Sequence, residues 1–410
     1  GAMNALARAL PMDPVALRVF DPKKLGPDGK PGMQADGKAG DLAFALQSRT
    51  DRVIPELNVM PNGATVINGT RFPPHINVAG YGPGDPFTPM MRTYQGDTVR
   101  VKIQSGGHEE EHNANIHGVK WLHGGSGHGK APNSGWRNSQ ASGISEQFTL
   151  TTPVLPVDKN RGPLADYAYN MDTGNDGFWS GTWGVLRSYE DVRADLYKLP
   201  GTASGPARFA NAKDFNGVCP KGVPIRTYSI TAVLANDVLD NTLGVTVAPS
   251  GPVGTMHVGA AVKPNGGTLV YNPRNTTVAG NFVNDAGAVI NLTHQGPLHD
   301  PTAILYVNTA DLDRGGKLKP GVALEPVVIR AAAGECLQIN LANSLPAKVP
   351  DLATYSTLQG VAKRDRFGAQ GSTTFNQNLI RPSSYAGIHP QLVAIDVTQD
   401  DGRIVGANPE

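Results

Sequence analysis

Histidines and acidic residues concentrate in one stretch of the sequence that could bind a metal ion. The stretch from His108 to His128 holds five of the ten histidines of the chain. Three consecutive glutamates, Glu109 to Glu111, lie beside its first histidine. Imidazole and carboxylate groups are good ligands for copper, zinc or manganese. This stretch is therefore the first candidate for metal chemistry.

The spacing of these histidines limits which of them can share an ion. His117 and His123 would lie about 20 Å apart on a straight strand, because a strand rises about 3.3 Å per residue, although Gly118 would permit a bend. His108 and His112 are better partners for His117, because the loop between them can fold back. The alternative is a site without metal, in which His117 is a hydrogen-bonded structural histidine.

Two further histidines are candidates because of what surrounds them. His299 precedes Asp300, and an aspartate beside a histidine can orient the ring towards a metal. A capped turn is the alternative at that position. His389 stands in the segment 387–390, which echoes the segment 115–118 around His117.

The echo extends to the strands that must position these histidines. Residues 95–103 and 333–341 each place an acidic residue after a glycine and then alternate in polarity. A repeated unit of this kind indicates a duplicated β-domain. The repeat makes His389 the counterpart of His117 in a second copy.

The composition favours short strands joined by turns. The chain has 49 Gly and 33 Pro, and only 17% of its residues are charged. Alternating polarity predicts strands, and one short helix is predicted over 190–199. The predicted strands are 98–103, 146–150, 184–189, 226–233, 303–307, 326–330, 337–341 and 391–397. These patterns predict an all-β fold.

The length of 410 residues indicates more than one domain. We expect an irregular lead-in over 1–50, a first domain over 51–200, a Gly/Ala/Pro-rich linker over 201–222 and a second domain over 223–410. Few residues follow His389, so we expect the second domain to be incomplete at Glu410.

Several classes of function find no support in the sequence. The net charge is +1 without a basic block, which argues against nucleic acid. No apolar run reaches membrane-spanning length. Neither a nucleophile elbow nor a dinucleotide-binding glycine pattern is present. Cys219 and Cys336 form either a disulfide, which would indicate an oxidising compartment, or two buried thiols.

Taken in order, several segments resemble those of the very large bacterial multicopper oxidases, a group that includes manganese-oxidising enzymes. They are residues 96–101, 115–118, 118–122, 143–148, 166–169, 181–186, 299–307 and 388–394. The resemblance implies tandem cupredoxin-like Greek-key β-sandwiches in a secreted, periplasmic or cell-surface protein. It also implies copper-dependent oxidation of metal ions such as Mn(II), or of phenolic compounds, with reduction of dioxygen. His117 matches the first copper-binding histidine of the family, and His389 matches it in the second copy.

The chain departs from that family at its ligand motifs. It contains no His-X-His pair and no His-Cys-His segment, whereas a blue-copper site needs a cysteine thiolate with two histidines. We therefore expect other cupredoxin domains of the same parent protein, or a companion chain, to complete the copper sites. An isolated chain would then be inactive. The alternatives are a non-catalytic cupredoxin-like module for metal binding or interaction, and an independent redox enzyme with an unusual copper site.

Overall fold

The described residues of the protein form two compact units. The computed structural model describes residues 42–44, 46–48, 58–59, 65–67, 70–72, 85–86, 90–106, 111–122, 135–153, 155–171, 182–193, 196, 218–241, 263, 265–283, 289–347, 349 and 383–409. Unit 1 combines residues of Leu42–Pro220 with residues of Ile388–Glu410. Unit 2 takes its residues from Lys221–Gly387.

Short strands build unit 1. In the described part of the chain they are β1 (Asn58–Val59), β2 (Thr65–Ile67), β3 (Thr70–Phe72), β4 (Met91–Tyr94), β5 (Arg100–Gln104), β6 (His112–Ile116), β7 (Trp121–Leu122), β8 (Trp136–Arg137), β9 (Ser139–Ser142), β10 (Gln147–Thr151), β11 (Leu164–Asn170) and β12 (Trp183–Tyr189). A 3-10 turn over Leu42–Phe44 precedes them.

The larger strands of unit 1 form a two-sheet sandwich. One sheet has the order β4-β12-β11-β6-β9, and β5 pairs with β10 in the other. The chain crosses from one sheet to the other between β4 and β6 and again between β9 and β11, as Greek-key connections do. Strand β4 runs parallel to β12, and the other described pairs are antiparallel.

The core of unit 1 lies between these two sheets. Ile103 of β5 and Leu150 of β10 face Ile116 of β6 and Leu186 of β12 within one buried cluster. Val397, from the far end of the chain, belongs to the same cluster. The sandwich therefore includes side chains from the C-terminal residues.

Unit 2 contains two further sheets in its described part. Its elements are β13 (Ile225–Leu234), α1 (Ala235–Val238), β14 (Leu269–Val283), β15 (Val289–Asp300), β16 (Ile304–Asn308) and β17 (Cys336–Asn343), with a 3-10 turn over Thr309–Asp311. Strand β13 lies between β16, which is antiparallel, and β17, which is parallel. Strands β14 and β15 form a long antiparallel hairpin.

The all-β prediction is confirmed, and so are the strands predicted over 98–103, 146–150, 184–189, 226–233, 303–307 and 337–341, within a few residues at their ends. Two predicted strands are wrong, because residues 326–330 and 391–397 pair with no neighbouring strand. Pro326 lacks the N–H that a ladder needs. The described residues of 190–199 are not helical.

Among the described residues, the division into units and the predicted domains differ at the C-terminal residues. The division after Pro220 falls within the predicted linker 201–222. Residues Ile388–Glu410, however, belong to unit 1 rather than to the predicted second domain. The physical reason is burial: Val397 and Val405 are 4% and 0% exposed in cores that unit 1 supplies.

Across the described residues, none of the helices has the length and apolar character needed to cross a membrane.

Candidate metal centre

Three potential metal ligands converge in unit 1. One nitrogen each from His117 and His389 and a carboxylate oxygen of Asp401 lie within 4.8 Å of one another. The two imidazole rings are stacked with their centroids 3.2 Å apart. In the described part of the chain, no other histidine, cysteine or acidic side chains form such a group.

A tight turn places His117. The residue follows β6, and its backbone N–H donates to Ala168 of β11 at 2.8 Å. The Val119 N–H then closes the turn on the Ile116 carbonyl at 3.1 Å. Gly118 has φ +76°, which is the left-handed conformation that a type II turn needs at its third position. The sequence Ile-His-Gly-Val thus fixes the histidine at the end of a core strand.

A second turn brings His389 and Asp401 together. The Asp396 carboxylate accepts from the Thr398 N–H at 3.0 Å and from its hydroxyl at 2.7 Å. The Asp400 N–H donates to the Asp396 carbonyl at 2.7 Å, which closes the turn. Gly402, with φ +70°, then packs directly against the Ile388 carbonyl, where a Cβ atom would collide. The chain therefore returns beside His389 because residue 402 has no side chain.

Backbone carbonyls determine which ring nitrogens carry a proton. The His117 Nε2 lies 2.9 Å from the Pro390 carbonyl oxygen, and the His389 Nδ1 lies 2.9 Å from the Asp401 carbonyl oxygen. Because a carbonyl oxygen only accepts, both of these nitrogens donate. In a neutral imidazole the other nitrogen then has a free electron pair. That nitrogen is Nδ1 in His117 and Nε2 in His389.

In the part of the chain that the structure describes, the remaining polar atoms of the site make no hydrogen bond outside the three residues. They are buried, and they are His117 Nδ1, His389 Nε2 and both carboxylate oxygens of Asp401. His117 Nδ1 touches Asp401 Oδ1, and His389 Nδ1 lies 3.2 Å from the same oxygen. An electron-pair donor facing a carboxylate needs a positive charge between them. Either a metal ion or an added proton on His117 would supply that charge.

The site is buried and has one exposed side. The side chains of His117 and Asp401 are 0% and 2% exposed, whereas the side chain of His389 is 20% exposed. Burial alone raises the pKa of Asp401, but the neighbouring rings of His117 and His389 lower it below its usual value. Asp401 is therefore a carboxylate at neutral pH, and His389 has the most exposed side chain of the three.

The other predicted ligands lie elsewhere or outside the described residues. His112 begins β6, where it pairs with Ser142, and it does not join the three-residue group. In unit 2, His299 Nδ1 shares a hydrogen bond of 2.9 Å with the Thr268 hydroxyl. His108 and His123 lie outside the described residues.

Neither cysteine is a thiolate ligand in this structure. Cys219 and Cys336 are both disulfide-bonded, which answers the question that the sequence left open. A blue-copper centre built on a cysteine of this chain is therefore absent while the disulfide is intact.

Asp401 is the member of the three-residue group that the sequence analysis missed. It stands in an Asp-Asp-Gly sequence that is typical of a turn. The echo between the two halves identified the histidines because both follow an isoleucine, but it has no counterpart for Asp401. The only signal in the sequence was an aspartate downstream of a candidate histidine. Such aspartates are too common to single out Asp401.

Comparisons with known proteins identify no family. No family model matches the sequence, and no curated protein matches it. Among solved structures, the chain is similar to McoA multicopper oxidase from Aquifex aeolicus, with 17% identity and a TM-score of 0.21 over 26% of this chain and 22% of that one. It is also similar to a laccase from Botrytis aclada, with 14% identity and a TM-score of 0.20 over 44% and 34% of the two chains.

A third similar structure is a copper-containing nitrite reductase from Thermus scotoductus, with 12% identity and a TM-score of 0.19 over 53% of each chain. Each match covers less than two thirds of the other chain's length. With TM-scores this low, the likeness contributes nothing to the functional assignment, which depends on the site itself.

Proposed function

We propose that this chain is a metal-binding part of a multicopper-oxidase-type oxidoreductase, and that His117, His389 and Asp401 together hold one divalent ion. The observation that carries this proposal is that one nitrogen of each ring and a carboxylate oxygen of Asp401 lie within 4.8 Å of one another. In each ring, the nitrogen that carries the proton donates a hydrogen bond to a backbone carbonyl. Metal-binding histidines are oriented in this way by a partner on the second nitrogen.

Copper is the ion we infer first. Imidazole suits Cu²⁺ well, and Cu²⁺ binds a given nitrogen and oxygen site more tightly than the other divalent first-row metals. When bound, copper would supply one-electron redox chemistry. The chain's own residues would bind the ion, hold its two imidazoles in fixed tautomers and place a carboxylate against its charge.

The activity of the parent protein would need more than this chain. The ordered motifs favour copper-dependent oxidation of metal ions such as Mn(II), or of phenolic compounds, with dioxygen as the electron acceptor. Since both cysteines are in a disulfide, the thiolate of a type 1 copper would come from another cupredoxin domain of the parent or from a companion chain. The disulfide also supports export to an oxidising compartment.

A non-catalytic role is the second candidate. The contact between His117 Nδ1 and Asp401 Oδ1 favours it. If His117 carried a second proton, its imidazolium would pair with the Asp401 carboxylate. The three residues would then hold the end of the chain on the sandwich without any metal. Copper binding separates the two candidates.

Calorimetric titration with Cu²⁺ tests the proposal. We expect the wild-type chain to bind one equivalent, His117→Ala to lose that tight site and His112→Ala to keep it. His112 is the matched control because it begins β6, the strand that leads to His117, and lies outside the three-residue group. A wild-type chain that binds no copper, or that loses it equally in both variants, would refute the assignment.

A further inference from the structure

We propose that metal binding and docking of residues 388–409 on the sandwich are one coupled event. The C-terminal segment, defined here as residues 388–409, supplies His389 and Asp401, whereas the sandwich supplies His117. This inference depends on the proposed metal site. An ion bound by all three residues would tie the C-terminal segment to the sandwich, so whatever favours docking must also favour metal binding.

Apolar contacts hold the C-terminal segment at two points. Val397 enters the main core of the sandwich beside Ile116 and Trp121. Val405 is 0% exposed and packs with Ala168 and Val185 on the other face of the large sheet. The segment therefore reaches both faces of that sheet.

Polar contacts hold the segment near its end. Asn408 accepts from the Asp166 N–H at 2.8 Å and donates to the Asp166 carbonyl at 2.8 Å. The Ala407 N–H donates to the Asp166 carboxylate at 2.7 Å. Arg187 donates to both oxygens of that carboxylate at 2.8 Å. The segment thus ends on a buried ion pair of the sandwich.

Little regular structure supports these contacts. Across its described residues, the C-terminal segment forms a single isolated bridge, between Gln47 and Gly406, and no strand. Domains open locally as well as globally, and segments differ in the free energy that this opening costs. Opening of residues 388–409 would move two of the three candidate ligands, His389 and Asp401, away from His117.

Hydrogen–deuterium exchange of the full chain tests the coupling. Peptides covering residues 388–409 should exchange more slowly after Cu²⁺ is added. An ion at 100 times its dissociation constant should suppress the open form by about 100-fold. Peptides from β13 in unit 2 should not change, and they serve as the internal control.

A pair of variants tests the docking contacts without altering a ligand. Asn408→Ala should speed exchange of the C-terminal segment in the copper-free protein, and Cu²⁺ should restore its protection. The matched control is Ser105→Ala, which also removes buried hydrogen bonds, to Ser142 at 3.0 and 3.2 Å, but away from the segment. In Ser105→Ala, residues 388–409 should exchange at the wild-type rate.

The outcomes separate the inference from the proposed function. Copper binding that leaves the exchange of residues 388–409 unchanged would overturn the coupling while leaving the metal site intact. Slower exchange across all of unit 1, with no preference for the segment, would also overturn it. Failure to bind copper at all would remove both the site and the coupling.

Discussion

At the residue scale, the candidate centre depends on three groups that converge within 4.8 Å of one another. The backbone carbonyls of Pro390 and Asp401 accept hydrogen bonds from the two rings, so in neutral imidazoles the opposite nitrogens carry an electron pair. The Asp401 carboxylate supplies the negative charge beside His117. Removing that charge without changing the side chain's shape therefore distinguishes metal binding from simple proton sharing.

Asp401→Asn keeps the size of the side chain but removes its charge. We expect the affinity for Cu²⁺ to fall by at least about 10-fold, the lower end of what loss of a partner around a metal ligand costs. Competition with a copper chelator would measure the change. Asp400→Asn is the control, because Asp400 is the neighbouring carboxylate and lies outside the three-residue group.

A buried imidazolium–carboxylate pair would give a different result. Asp401→Asn would then destabilise the copper-free protein by about 3–5 kcal/mol, because a buried charge would lose its partner. Thermal unfolding of copper-free samples would show that loss. Unchanged copper affinity together with that destabilisation would contradict the metal assignment.

The sequence identifies two of the three ligands and misses the third. His117 and His389 are selected by the Ile-His pattern that both halves share. The structure brings them together, although the repeat predicted equivalent positions in separate domains. Asp401 cannot be found in this way, because its place depends on how the chain folds back after Asp396, which no local pattern encodes.

At the scale of elements, two turns bring the ligands to one point. The turn after β6 presents His117, and the turn from Asp396 to Asp400 returns the chain to His389. The close approach of Gly402 to Ile388 connects the second turn to the site. The backbone conformation of residue 402 therefore determines how His389 and Asp401 lie relative to each other.

Gly402→Ala should loosen the site. The residue has φ +70°, and an added Cβ would meet the Ile388 backbone. The left-handed conformation alone costs a non-glycine residue about 1–2 kcal/mol, and the collision adds to that cost. We expect weaker copper binding and a lower midpoint of thermal unfolding.

Gly316→Ala is the matched control for Gly402→Ala. Gly316 has φ +79° but open space around it, so it bears the conformational cost without the collision. Copper affinity should stay at the wild-type value in Gly316→Ala. Equal copper affinities in the two variants would show that the approach of residue 402 to Ile388 does not position the ligands.

The predicted strands are confirmed where residues that alternate in polarity also pair with a neighbouring strand. The alternating residues of β5 and β13 pair with neighbours on the same sheets. Residues 391–397 have a comparable apolar pattern, yet Leu392 adopts φ +60°, which ends regular extension. Their apolar side chains belong to an irregular segment packed on the sandwich, and periodicity cannot distinguish that arrangement from a strand.

At the scale of the whole molecule, the sequence predicts an all-β chain of more than one unit. The abundance of glycine and proline and the scarcity of convincing helical patterns were enough for that conclusion. The place of residues 388–409 could not be predicted, because an echo in sequence carries no information on which sandwich buries Val397 and Val405.

The chain as a whole supplies part of the proposed copper centre and no cysteine for a type 1 site. A three-residue site with two histidines and a carboxylate can hold an ion, but a cysteine ligand for type 1 copper would have to come from outside this chain. We therefore expect copper binding without oxidase turnover in the isolated chain. Full activity would require the further domains or companion chain that the motifs imply.

The most direct test is elemental analysis of the copper-loaded chain together with its electron paramagnetic resonance spectrum. The account predicts one tightly held Cu²⁺ per chain, with coupling to two imidazole nitrogens and without the narrow hyperfine splitting of a thiolate-bound blue copper. Replacing His117 with alanine should abolish that signal. A chain that retains no copper, or a signal that survives His117→Ala, would contradict the central claim.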